Sequence, residues 1–343
     1  MKYLIIGTGG TGGCIGGYLA RIGKDVTFIA RGAQLKAIKE NGLIVYSTLN
    51  GEINLKNVKV FDGDEEYGKF DVIFLCVKGY SLNETVSIIK KASNGKTIVI
   101  PILNSLNAKE KLSKVLTDMT VLDGCIYVGG YISAPGEITQ TIKIFRVVFG
   151  AREDTKVDIN LLHKIQLDLE EAGIEGIISD NIRRDIFKKF SFTSAYASTG
   201  AYYDAEAGEF QNDGECRKMF ILLLKELQKI AIVLNINLNT DFVDENLVIL
   251  SGFSLDTTAS MQKDIKKGKS SEKDELIFSI VNIAEKYDID VPNYKKIAKH
   301  FGYTKKNWYN YISSFLKFYI KFILIKGVSK PIILAGGLTD RKS

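Results

Sequence analysis

The sequence predicts an α/β chain in two parts: a doubly wound parallel sheet built from alternating strands and helices, then an all-helical region. Three observations predict it. Apolar runs of strand length alternate with segments of helical periodicity through the first part of the chain. A glycine-rich turn joins the first strand to the first helix. After residue 150 the apolar positions recur mainly at helical spacing.

"KYLIIG" reads as an apolar strand, and "TGGCIGGYLARIG" as a small-residue helix that closes on Gly23, a glycine suited to the left-handed position after a helix. "DVTFIA" is the next strand. "GLIVYS" and "INLKNVKVF" read as a hairpin around Asn50-Gly51, a strong turn dipeptide. "FDVIFLCVK" is continuously apolar, as expected of a strand buried on both faces. "LNETVSIIKKAS" has helical periodicity and is expected to stop at Asn94-Gly95, and "TIVIPIL" is a further buried strand. "GEITQTIKIFRVVFG", residues 136–150, has β-branched strand character. The segments "DINLLHKIQLDLEEAG", "NIRRDIFKKFSFTSAYAS", "ECRKMFILLLKELQKIAIVLNI" and "SEKDELIFSIVNIAEKYDI" then read as helices. The change of pattern places a cofactor domain at residues 1–178 and a helical domain at 179–303. Residues 304–343 are basic and aromatic. They read either as a surface or partner helix or as a divergent end outside the core fold.

Composition narrows the function classes. A chain of 343 residues with 45% hydrophobic and 25% charged residues is ordinary for a globular protein. The net charge of +6 gathers in the last forty residues, which hold seven lysines, one arginine and a single acid. The rest is near neutral, so a broad nucleic-acid surface is not expected. Cys14, Cys76, Cys125 and Cys216 are scattered without CxxC spacing and read as free thiols of a reducing compartment. His163 and His300 lie far apart, which leaves a zinc site and a histidine-based triad without support. No basic-then-apolar leader and no 18-residue apolar run are present, so no membrane span and a cytoplasmic location are expected.

The motif with chemical content is "LIIGTGGTGGCIGG". It contains G-x-G-x-x-G at Gly7, Gly9 and Gly12, between a strand and a helix. Gly7 permits the tight turn, Gly9 admits a pyrophosphate close to the backbone, and Gly12 lets the helix approach the sheet. The helix start offers free N–H groups to phosphate. The loop Gly7, Thr8, Gly9, Gly10, Thr11 and Gly12 is therefore the candidate cradle for a dinucleotide, in a Rossmann-type domain. A glycine-rich packing helix without ligand is the plainer alternative. In such folds an acid at the tip of the second strand takes the adenosine ribose hydroxyls. Here that place, 19 residues after Gly12, holds Arg31, preceded by Ala30. A guanidinium suits the 2′-phosphate of NADP through charge-assisted, forked hydrogen bonds. A solvated turn arginine is the alternative.

The stretch "IIGTGGTGGCIGGYLARIGKDVTFIARG" resembles the ketopantoate reductase (2-dehydropantoate 2-reductase) family, and the likeness runs over residues 1–303. It implies a Rossmann domain plus a helical domain with the site in the cleft between them. The implied activity is NADPH-dependent reduction of ketopantoate to pantoate, a step toward pantothenate and coenzyme A. By the same resemblance, "CVKGY" makes Lys78 a cofactor contact, and "PILNSLNA" makes Asn104 a contact of cofactor and substrate, with Ser105 where the family has glycine. "IFKKFSF" makes Lys189 the catalytic lysine, a proton donor to the ketone as hydride arrives. "SMQKDIKKGKSSE" matches at Ser260, Asp264 and Glu272. The serine would bind the substrate carboxylate, and Glu272 would support Lys189 and keep it protonated. The match weakens where the family has substrate-side asparagines: Thr193, Ala197 and Ala207 stand there. Thr193 remains a candidate substrate contact. The resemblance thus leaves two rivals open, a paralogous NADPH-dependent reductase of another 2-oxo acid and a non-catalytic NADPH-binding protein. A small-molecule substrate is expected in the enzyme readings, no metal is implied, and a homodimer is left open.

Overall fold

The chain opens with an apolar strand, Lys2–Ile6, whose last four residues are buried. In the computed structural model this strand lies inside a six-stranded sheet. The order across the sheet is Lys59–Phe61, Asp25–Ile29, Lys2–Ile6, Phe70–Leu75, Ser93–Pro101 and Thr120–Val121. All five pairings are parallel. The chain winds outward from Lys2–Ile6 on one side, then crosses back to start the other half at Phe70–Leu75. That reversal leaves a crevice at the carboxyl ends of these two strands, where α/β sheets bind ligands. Gly7 follows one of them and Lys78 the other.

The first helix, Gly10–Arg21, is held between two sheets, and its glycines are required by close approach on both sides. A Cβ on Gly16 would stand 2.2 Å from Phe28 of the main sheet, and one on Gly10 would stand 2.1 Å from the Gly130 carbonyl oxygen. Gly130 belongs to a second sheet ordered Gly130–Ala134, Glu137–Gln140, Leu43–Ser47 and Gly51–Leu55. Tyr18 of the same helix donates to Gln140 Oε1 at 2.5 Å, tying helix and second sheet together. The helix ends as its sequence predicts: Gly23 takes φ +83° and its N–H returns to the Ala20 carbonyl.

Asp123–Tyr127, Arg146–Gly150 and Glu175–Ile178 form a third sheet, covered by the helix Ile159–Glu171. The predicted hairpin about Asn50-Gly51 is present, pairing Leu43–Ser47 with Gly51–Leu55. Three expectations are corrected. "INLKNVKVF" is two strands, because Lys59–Phe61 leaves the hairpin to pair with Asp25–Ile29. The run at 136–150 is also two strands, Glu137–Gln140 and Arg146–Gly150, in different sheets. The helix before Asn94-Gly95 ends at Ala92, and the dipeptide opens the following strand. There Gly95 takes φ +84° and the Asn94 N–H bonds Thr97 Oγ1, which bends the strand entrance.

Beyond the third sheet the described residues are helical. Asn181 accepts from the Arg184 N–H and caps the 22-residue helix Ile182–Tyr203. Its buried face, including Phe187 and Phe190, joins Phe210, Phe220 and Leu227 in a second hydrophobic core. This core is separate from the one under the sheets. Met1–Tyr303 form one compact unit. The structure describes residues 1–304, so the basic aromatic tail lies outside the described residues. Among the described residues no helix is long and apolar enough to cross a membrane, and all four cysteines are free.

Candidate active site

The glycine turn is built by the strand register. The Gly7 N–H donates to the Ile29 carbonyl, and the Cys76 N–H to the Ile6 carbonyl, so three strand ends meet at one level. Gly7 takes φ +95°, and a Cβ there would also press on the Cys76 carbonyl at 2.9 Å. The buried Thr8 donates to the Ile29 carbonyl at 3.0 Å, and its own carbonyl accepts from Gln34 Nε2 at 3.1 Å. These two bonds hold the turn from behind. At Gly9 an added Cβ would meet no atom of the described residues within 4 Å. The loop is therefore closed behind and open at Gly9, in front of the start of Gly10–Arg21. This arrangement fits a dinucleotide pyrophosphate. Thr11 sits in the first turn of that helix.

Arg31 follows the second strand and precedes the helix Gly32–Asn41. Its guanidinium is ion-paired with Glu84 at 2.6 Å, and both side chains are more than half exposed. The position can hold a phosphate, but the phosphate would have to share Arg31 with a carboxylate. Glu84 was not foreseen in this role, because it lies 53 residues away in the chain.

Four of the candidates converge at the other side of the crevice. Lys78 follows the strand Phe70–Leu75, and Asn104 follows Ser93–Pro101. Lys189 stands on the helix Ile182–Tyr203, and Glu272 precedes the turn Asp274–Phe278. Lys189 Nζ donates to Asn104 Oδ1. Asn104 Nδ2 reaches both Glu272 oxygens at 3.4 Å. Lys78 Nζ donates to Glu272 Oε2 at 2.5 Å, and Asp264 stands 3.9 Å from the same ammonium. A continuous polar chain thus joins two sheet strands to the helical region.

The pairing differs from the expectation in one respect. Glu272 makes its ion pair with Lys78, not with Lys189, because the asparagine side chain lies between them. Glu272 is buried, with its side chain 3% exposed, and Lys78 keeps 38%. The electrostatics follow. Burial opposes the charge on Lys78, but the facing Glu272 carboxylate more than offsets it and holds Lys78 above the usual lysine range. Burial pushes Lys189 below that range; the Cys125 thiol and Glu272 oppose the shift, and Lys78 adds to it. Glu272 therefore favours the Lys189 ammonium across Asn104 and not as its direct partner. Lys189 is the easier of the two lysines to deprotonate.

The remaining candidates are more scattered. Ser260 opens the helix Ser260–Lys266 and is exposed. That helix also carries Asp264, so Ser260 is placed near the chain without joining it. Thr193, one turn beyond Lys189, donates its hydroxyl to the Lys189 carbonyl at 2.9 Å, which leaves its oxygen as an acceptor only. Ala197 and Ala207 are buried at 2% and 0% exposure. Ala207 begins a short helix in which Glu206 and Glu209 form a reciprocal capping box. Glu209 is thus occupied in holding a helix start. Cys125, whose thiol burial pushes up to about 12, is a neighbour of Lys189 that sequence reading missed. Its strand packs on the helix Ile182–Tyr203, far along the chain, so no local signal reveals it.

Residues 3–154 match the family described as Ketopantoate reductase PanE/ApbA, and residues 181–302 match Ketopantoate reductase PanE/ApbA C terminal. The chain is 27% identical over 292 residues to an uncharacterized oxidoreductase, YkpB, of Bacillus subtilis (strain 168), covering 85% of this chain and 95% of that one. It is 25% identical over 295 residues to a 2-dehydropantoate 2-reductase of Pyrococcus horikoshii, covering 85% and 93%. Its fold is similar to that of a D-mandelate dehydrogenase solved with NADH and anilino(oxo)acetate. The TM-score is 0.79 at 23% identity, covering 87% of this chain and 96% of that chain. The chain belongs to the ketopantoate reductase family, a family of oxidoreductases.

Proposed function

We propose that the protein is an NADPH-dependent reductase of a 2-oxo acid, with ketopantoate as its first candidate substrate. The observation that carries this reading is the chain Lys189–Asn104–Glu272–Lys78, set at the carboxyl edge of the sheet beside the open Gly9 turn. In this reading residues 1–178 hold the cofactor and residues 179–303 supply the proton donor. A bound nicotinamide supplies the hydride. Gly7, Thr8, Gly9, Gly10, Thr11 and Gly12 form the turn that seats the pyrophosphate. Lys78 offers a cation to the cofactor, and Glu272 fixes where that cation sits. Asn104 accepts from Lys189 and so aims its ammonium. The ammonium gives a proton to the ketone oxygen as negative charge builds there, leaving a hydroxy acid. Ser260 offers a hydroxyl to the substrate carboxylate.

A second reading, reduction of a different 2-oxo acid, is favoured by Ala197 and Ala207. Both are buried and offer no side-chain hydrogen bond, while Thr193 can only accept. A substrate hydroxyl that needed two amide partners would lose roughly 1–3 kcal/mol for each one missing. The direct test follows absorbance at 340 nm with NADPH or NADH and a panel of 2-oxo acids. Turnover of ketopantoate with NADPH supports the first reading. Tight NADPH binding with turnover only of another 2-oxo acid supports the second. NADPH binding without turnover of any acid would leave a non-catalytic binding protein.

Cofactor choice has its own expected outcome. Arg31→Ala weakens NADPH about tenfold and leaves NADH within about twofold. This is the low end for a charge-assisted contact, because Glu84 already holds the guanidinium. Fluorescence titration of each cofactor checks it, and equal losses for both would remove Arg31 from the role.

A further inference from the structure

The segment Asp274–Phe278 is a π-turn, wider than an α-helical turn, and it starts two residues after Glu272. Its interior is apolar: Leu276 and Ile277 are at most 1% exposed. Among them sits an acid, Glu275, itself 4% exposed. Among the described residues its Oε2 has no hydrogen-bond partner. Its Oε1 lies against Gly79, where an added Cβ would stand 2.3 Å from it. Gly79 directly follows Lys78. A buried carboxylate in this position touches the loop that carries Lys78 and shares a turn with the residue that pairs with Lys78.

We propose that Glu275 is a positioning residue for the Lys78–Glu272 pair: protonated, it holds the Lys78 loop against the helical region, and ionised, it loosens that joint. The proposal rests on the reading of Lys78 as a cofactor contact. A neutral carboxyl packs on Gly79 at little cost. An ionised one places a second negative charge beside Glu272 in a buried site, opposed by its own backbone N–H and the Lys111 ammonium. The groups facing it are Asp274 on its own segment, Glu272 just before that segment, Lys111 on the helix Ala108–Ser113, and Tyr80 next to Gly79. Burial pushes Glu275 up to about 7; Lys111 opposes that, and Asp274 and Glu272 reinforce it. The change of state therefore falls in the physiological range. Above it the field around Lys78 turns more negative, and an anionic cofactor binds less well.

The test compares the full chain with Glu275→Gln, which stays neutral, and Glu275→Met, which keeps length without charge. NADPH affinity is titrated by fluorescence from pH 5.5 to 8.5, with thermal melts alongside. Wild type is expected to lose about three- to tenfold more affinity between pH 6 and pH 8 than either variant does. Titration of the cofactor's own phosphate is common to all three and cancels. The melts should show the variants gaining on wild type as pH rises. An acid that binds its proton more tightly when folded loses stability from the ordinary carboxylate range up through about 7. Parallel pH dependence of NADPH affinity in all three proteins would overturn the proposal, even with the stability difference present, since burial alone would explain the melts. Absence of NADPH binding in all three at every pH would overturn the cofactor reading and this inference with it.

Discussion

Replacing Lys189 with alanine is expected to lower turnover about 10²- to 10⁴-fold while NADPH still binds, the range for loss of a positioned general acid. The geometry separates the two effects. Lys189 stands on the helical region and reaches Asn104, whereas the turn at Gly7 is held by Ile29 and Cys76 of the sheet. Removing the lysine leaves that turn untouched. It also leaves Asn104 bonded to Glu272, so the substrate side keeps its shape. Single-turnover measurement at saturating NADPH, with binding followed by cofactor fluorescence, distinguishes lost chemistry from lost affinity. A Lys189→Ala protein that turns over normally would end the enzyme mechanism given above.

The pH dependence of the same step has a fixed sign. In the proposed mechanism the proton donor is the ammonium, so kcat is expected to fall on the alkaline side as Lys189 loses its proton. Burial lowers the pKa of Lys189, so this limb arrives below the value of about 10.4 for a solvated lysine. Lys78 is held protonated by Glu272 and does not contribute a limb in that range. Glu272→Gln removes a charge that favours the ammonium of Lys189, and it moves the limb further down. A limb that stays in place in Glu272→Gln would show that the carboxylate does not act on the lysine.

The ends of the main-sheet strands were readable because they obey local rules. A strand, a glycine turn and a small-residue helix announce the crevice, and Gly23 announces the helix end. The hairpin at Asn50-Gly51 is equally local. What escaped is non-local. Glu137–Gln140 pairs in parallel with Leu43–Ser47 across more than ninety residues, and no periodicity in either strand names its partner. The same holds in the site. Lys189 and Glu272 are legible through family likeness, but that Glu272 pairs with Lys78 depends on where two strand ends meet the helical region. Glu84 beside Arg31 and Glu275 beside Gly79 escaped for the same reason. Read locally, each is an acid in a charged segment, and only the fold shows one on a guanidinium and the other buried.

Two glycine substitutions, three residues apart, are expected to fail in opposite ways. Gly12→Ala places a Cβ 2.1 Å from the Gly7 carbonyl oxygen, 2.9 Å from Ile5 Cγ2 and 3.0 Å from Cys76 Cβ. The first of these is backbone in a turn already fixed by two strands, so it cannot swing aside. The helix must move off the sheet, at about 1–3 kcal/mol or more, and the melting temperature and NADPH binding fall together. Gly9→Ala meets nothing among the described residues within 4 Å, and the backbone there, at φ −91°, is open to any residue. Its cost to stability is limited to about 1 kcal/mol of helix-cap preference. The methyl group instead occupies the space through which a pyrophosphate must approach. Gly9→Ala is therefore expected to melt near wild type and to lose NADPH affinity about tenfold or more. Melting curves and cofactor titrations on the two variants separate packing from binding. Unchanged NADPH affinity in Gly9→Ala would mean that the glycine turn serves the packing of the helix between its two sheets, and that the phosphates lie elsewhere.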